Sequence, residues 1–97
     1  MRMMLRIHID AVTGSAALKS GAMQKAIGAF SEKFKPEATY FALEGGRRTG
    51  FFVFDMKSSQ ECPEIAEAFF DAGCDAHLTP CMTADDLRHG LHDAGLA

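Results

Sequence analysis

Arg6, His8 and Asp10 occupy every second position in the opening run MRMMLRIHID, and His77 and Thr79 repeat that spacing in the late run AHLTP. Along a strand, residues two apart share a face, so each run aims its polar groups one way. Two imidazoles beside a guanidinium and a carboxylate could hold an anionic or enolisable small molecule. His8 or His77 would then serve as the general base, with Arg6 or Tyr40 orienting an oxygen. A plainer reading is that the same residues line an internal water cluster and satisfy one another by hydrogen bonds. A metal centre fits least, because two histidines on neighbouring strands come without a convincing third ligand. No metal and no cofactor is expected.

Other chemical candidates are weaker. His89 and His92 stand three apart on a late helical run, where surface polarity explains them as well as a site does. Cys81 has no basic neighbour in sequence to lower its thiol pKa, so an inert, buried thiol is the simpler account. Gly45-Gly46-Arg47-Arg48 could offer N–H groups to phosphate, but no helix start follows; it reads as a hairpin turn. The phenylalanines of Phe51 to Phe54 read as core or interface, because aromatic strand residues usually pack.

Composition narrows the class. Ninety-seven residues make a single domain, residues 1–97, with 47% hydrophobic and 24% charged side chains. Net charge is -3, and the ten basic residues form no long run, which disfavours a nucleic-acid surface. The three cysteines are odd in number and make no C-x-x-C spacing, which points to free thiols in a reducing compartment. Arg6, His8 and Asp10 interrupt the apolar N-terminal run, so it does not read as a secretory segment. No apolar stretch is long enough to span a membrane. A cytoplasmic protein is expected.

Several elements must position the candidate residues. Met3 to Asp10 alternates as a strand, with Leu5, Ile7 and Ile9 on its apolar side. Ser15 is a plausible N-cap for a helix from Ala16 to Phe34, in which Gly21 divides a short first turn from the main body. Pro36 ends it. Thr39–Glu44 and Thr49–Met56 form a hairpin about the glycine-containing turn, apolar on both faces. A second helix spans Ser58–Gly73, and Ala76–Met82 is an edge strand marked by Pro80. Thr83 to Asp86 resembles a capping box with aspartate in the usual glutamate position, and it opens a final helix.

Strand, helix, strand, strand, helix, strand is the ferredoxin-like βαββαβ order, an α+β fold with a four-stranded antiparallel sheet and, here, a C-terminal helix. Right-handed crossovers place the first and third strands in the centre. One sheet face then carries Arg6, His8, Tyr40, Ala42, His77 and Thr79. Phe52 and Phe54 are expected to join them, although a one-residue slip would substitute Phe51 and Val53. Helices can cover only one face, and soluble monomers rarely leave large apolar patches open. A homodimer joined through the open sheet face is therefore expected.

The segments PEATYF, GRRTGFFVFDM, EIAEAFF and LTPCMTADDL resemble short bacterial members of the dimeric α+β barrel superfamily across nearly the whole chain. The matching positions are mostly core and turn residues, so they identify a fold group rather than a reaction. The resemblance implies a homodimer whose sheets close into a barrel. Relatives in that superfamily include cofactor-independent monooxygenases, muconolactone isomerases and haem-degrading enzymes. The last use a pocket tryptophan, which this chain lacks. The expected activity is proton transfer or cofactor-free oxygenation of a small organic molecule. His8 and His77 would be catalytic, with Arg6, Tyr40, Phe52, Phe54 and Thr79 binding substrate. The alternative is a non-catalytic accessory or binding dimer with a filled barrel. Neither reading involves nucleic acid or membrane.

Overall fold

Leu5, Ile7 and Ile9 sit on a strand flanked by two others, and that central position organises the chain. The computed structural model describes residues 1–97. Its elements are β1 (Arg2–Ile9), α1 (Ala11–Ser20), α2 (Ala22–Phe34), β2 (Ala38–Glu44), β3 (Arg47–Asp55), α3 (Cys62–Asp71), β4 (Asp75–Pro80) and α4 (Ala84–Asp93), with a 3-10 turn at Ser59–Glu61 before α3. The four strands form one antiparallel sheet in the order β2-β3-β1-β4. This is the ferredoxin-like α+β arrangement with an added C-terminal helix, as its element order predicts. No helix is long and apolar enough to cross a membrane.

Local chemistry sets the boundaries. The hairpin turn is Gly45-Gly46 alone, both at positive φ (61° and 76°), the signature of a two-residue type I′ turn. Arg47 and Arg48, expected in the turn, therefore open β3, and Arg47 pairs with Glu44. Gly21, at φ 85°, ends α1 and starts α2, so the division expected there is a break between two helices. The first helix also begins earlier than expected. Asp10 caps it by accepting from the Thr13 N–H at 3.0 Å, and that bond holds its carboxyl below the ordinary value. Ser15, expected as the cap, instead accepts from Arg48 Nη2 at 3.2 Å and ties the hairpin to α1. The capping box at Thr83 forms as expected. The Thr83 hydroxyl accepts from Asp86 N–H, and the Asp86 carboxylate accepts from Thr83 N–H, each at 3.0 Å.

The core lies between the sheet and α1 to α3. Leu5, Ile65, Phe52, Phe54 and Phe69 are sealed from solvent. Phe30 of α2 stands at the hub, its ring centroid 5.1 Å from those of Phe34, Phe52 and Phe54 and 6.0 Å from that of Phe69. The ring of Phe34 stacks on Phe30 and the other three meet it edge-on, and such contacts add to area burial.

This packing corrects one expectation. Phe52 and Phe54 belong to the helix-covered core, and Phe51 and Val53 take their place on the open face. The slip is decided by α2: only one register brings two phenylalanines under Phe30.

Helix α4 differs from the others. It buries no residue, although Leu87 and Leu91 share one side of it. Replacing Phe30 with alanine is expected to cost about 3–5 kcal/mol, read from urea unfolding. Leu43→Ala, at an exposed position, should change stability by about 0.5 kcal/mol or less. Equal effects would show that the ring cluster does not organise the core.

Candidate functional site

On the face away from the helices, the strand register lines up residues in rows that cross the whole sheet. One row runs Tyr40, Phe51, Arg6, His77, and the next runs Ala42, Thr49, His8, Asp75. The registers of β1 against β3 and β4 thus make His8, Arg6, His77 and Asp75 neighbours despite their separation in sequence. Sheet neighbours of this kind lie within reach of one another.

His8 is the centre of the group. It is only 5% exposed, unusual for histidine on an uncovered sheet face. Its Nε2 donates to Glu44 Oε1 at 2.8 Å, and its backbone N–H donates to Asp75 Oδ1 at 2.9 Å. Nδ1 lies 3.3 Å from the same Asp75 oxygen but makes no hydrogen bond. His77 Nε2 approaches that oxygen from the other side at 3.5 Å, and the two imidazoles meet edge-on at 5.8 Å. Arg47 reaches Asp75 Oδ2 at 3.7 Å, and Arg6 reaches Glu44 at 3.8 Å. Arg6 Nε is buried and donates to nothing.

The carboxylates carry the electrostatic signature of this arrangement. The hydrogen bond from His8 holds Glu44 below its ordinary value, aided by the charge of Arg6. Burial acts to raise Asp75. The His8 N–H and the charge of the two imidazoles outweigh it and hold the carboxyl below its ordinary value. Both groups therefore stay ionised as pH falls further than usual.

Of the residues expected at the site, His8, His77 and Arg6 come together. Tyr40 shares their face two strands away and is 71% exposed. Thr79 lies on the same face one row further along, opposite Met4, outside the hydrogen-bonded group. Phe52 and Phe54 point the other way, into the core, and cannot line this surface. Asp10 has left for its helix cap. His89 and His92 are exposed on α4.

Glu44, Arg47 and Asp75 are the members that sequence reasoning missed. Asp75 stands two residues before His77, so extending the alternation of β4 by one residue would have found it. Glu44 similarly follows Tyr40 and Ala42 by steps of two. Arg47 was hidden by its assignment to the turn.

A separate apolar cleft of about 350 Å³ opens on the helix side of the sheet, between β2 and the α1–α2 junction. Leu18, Met23, Ile27, Phe41 and Leu43 line it. Apart from Arg48, whose guanidinium is held by Ala11 and Ser15, its walls bring few charged groups. Most of the charged cluster lies on the other side of the sheet, and His8 also borders this cleft. A comparison with protein-family models gives no match to this chain, and neither does a comparison with curated proteins.

Two measurements check these environments. Asp75 ionises more readily folded than unfolded, so its stabilisation is present above the ordinary value of 3.8 and fades as pH falls through the lower native value. Asp75→Asn should therefore be less stable near neutrality, with the two proteins converging in acid; parallel stability curves would refute the assignment. The buried Cys74 thiol is pushed up to about 11 by desolvation, whereas Cys62 and Cys81 are partly exposed. Iodoacetamide near pH 8 should label those two and spare Cys74 until the chain unfolds, as read by mass spectrometry.

Proposed function

We propose that two copies of this chain join through their open sheet faces into a dimeric α+β barrel, enclosing the His8–Asp75–His77 cluster around a small anionic organic molecule. The observation that carries the reading is Arg6: a guanidinium on an uncovered face, with a buried, unpartnered Nε and only a long ion pair to Glu44. A buried donor without an acceptor is costly, and a carboxylate or enolate oxygen would relieve it. The apolar residues around it support enclosure. Met4, Phe51 and Val53 are only partly covered by their own chain, and Tyr40 is exposed. Helix α4, with no partner of its own, offers a second apolar surface to the same end.

The favoured chemistry is proton transfer. His77 is the accessible imidazole, its side chain 48% exposed, while His8 is buried behind it. With His77 Nε2–H directed at Asp75, the lone pair of Nδ1 is free to take a proton from carbon beside a carbonyl. The C–H bond breaks, an N–H bond forms, and the electron pair moves to an oxygen held by Arg6. Returning the proton to another carbon completes an isomerisation. His8 positions Asp75 through its backbone N–H and is itself anchored by Glu44.

A non-catalytic dimer remains the competing reading, favoured by the bulk of Phe51, Val53, Met4 and Tyr40 on the face to be enclosed. Sedimentation and proton exchange separate the two. The wild type should sediment as a dimer, and Phe51→Asp as a monomer; a wild-type monomer in dilute solution sinks the barrel. Deuterium exchange at the central carbon of acetylacetone, followed by NMR, should be accelerated by the wild type. His77→Ala should lose on the order of a hundredfold of that acceleration. A dimer with no acceleration favours the accessory role.

A further inference from the structure

The unpartnered Nδ1 of His8 has a consequence beyond proton transfer. Glu44 accepts from Nε2, which places the ring proton there and leaves a lone pair on Nδ1. That lone pair is buried and makes no hydrogen bond, although Asp75 Oδ1 lies only 3.3 Å from the nitrogen. An imidazole lone pair against a carboxylate oxygen is repulsive unless a cation lies between them. Either a second proton or a metal ion meets that requirement. His77 Nε2 completes the outline, 3.5 Å from the same oxygen, and a donor atom from each of the three residues lies within 4.8 Å of the other two.

We infer that His8, Asp75 and His77 form a binding site for one divalent transition-metal ion per chain. Bonds of about 2.0–2.2 Å to nitrogen and oxygen place adjacent ligand atoms roughly 3.0–3.5 Å apart. The two edges through Asp75 already meet that spacing, and rotation of the half-exposed His77 closes the third. The chemistry of the set agrees. Two imidazoles and one carboxylate suit zinc or ferrous iron and leave coordination positions open. The surroundings are those of a ligand shell. Glu44 accepts the outer N–H of His8, which sets the tautomer and raises ligand basicity. The Arg47 guanidinium lies 3.7 Å from Asp75 Oδ2, while Oδ1 is the oxygen nearest the imidazoles.

Arg6 and Arg47 offset the negative charge of Glu44 and Asp75, so an added dication would favour an anionic group at its open positions. An occupied site would convert His77 from proton acceptor to ligand and put a Lewis acid in its place. All three donors come from one chain, so the inference does not depend on the barrel.

Cobalt(II) is the direct probe, because histidine coordination gives visible d–d absorption. The metal-free protein should take up one cobalt per chain with micromolar or tighter affinity, and zinc should displace it in calorimetry. His77→Ala and Asp75→Asn should each weaken cobalt binding at least tenfold. Glu44→Gln should weaken it about 10–100-fold by loosening His8. The double variant His89→Ala, His92→Ala should bind as the wild type does. His77 is half-exposed and its removal leaves the core intact, so circular dichroism of His77→Ala should match the wild type. No absorption band at millimolar cobalt, or binding that survives His77→Ala, overturns the site, as does binding lost only with His89 and His92. A monomer that binds cobalt would uphold this site and refute the barrel. A dimer that exchanges protons but takes up no cobalt would do the reverse.

Discussion

Everything in this molecule depends on the burial of one face of β1. Leu5, Ile7 and Ile9 are almost wholly removed from water, packed with Phe52, Phe54 and Phe69 beneath Phe30. Because strand side chains alternate, fixing those residues inward fixes Arg6 and His8 outward. The apolar side therefore decides what the polar side can present. A slip of one residue would bury a guanidinium and an imidazole under α2 and expose the leucine and isoleucines. The energetic gap between those registers is that of the core itself, so the site inherits its precision from hydrophobic packing.

The polar face is organised by shared carboxylates rather than by direct contact between its bases. Asp75 receives the His8 backbone N–H, faces both imidazoles and approaches Arg47, while Glu44 accepts from His8 and approaches Arg6. Each acid is stabilised in its ionised form by those neighbours. His8 is held by two carboxylates, through its ring Nε2 and its backbone N–H, and it stays buried on a sheet face that no helix covers. The price is two unsatisfied atoms, His8 Nδ1 and Arg6 Nε. One is an acceptor and the other a donor, so a single small ligand cannot relieve both in the same way. A cation answers the first and an oxyanion the second.

The division of labour across the sheet is also physical. The helix side has a cleft of about 350 Å³ with few charges, and the other side carries most of the charged groups. Helix α4 buries no residue, and its Leu87 and Leu91 stay partly exposed.

Much of the architecture was legible in the residues alone, because it rests on local rules. Alternation in MRMMLRIHID, the paired glycines at 45 and 46, the break at Gly21 and the Thr83 box each act over a few residues, and each appears where those rules put it. The pairing of His8 with the His77 strand also followed, since element order dictates which strands adjoin. What the sequence could not decide was anything requiring comparison between distant side chains. Phe52 and Phe54 alternate with Phe51 and Val53 so evenly that only Phe30 and Phe69 select the buried pair. Asp10 is the acid that the sequence sets beside His8, but a helix cap takes it and strand pairing delivers Asp75 instead. A strand's period is written in its own residues, whereas its register and its neighbours are settled by what packs against it from far along the chain.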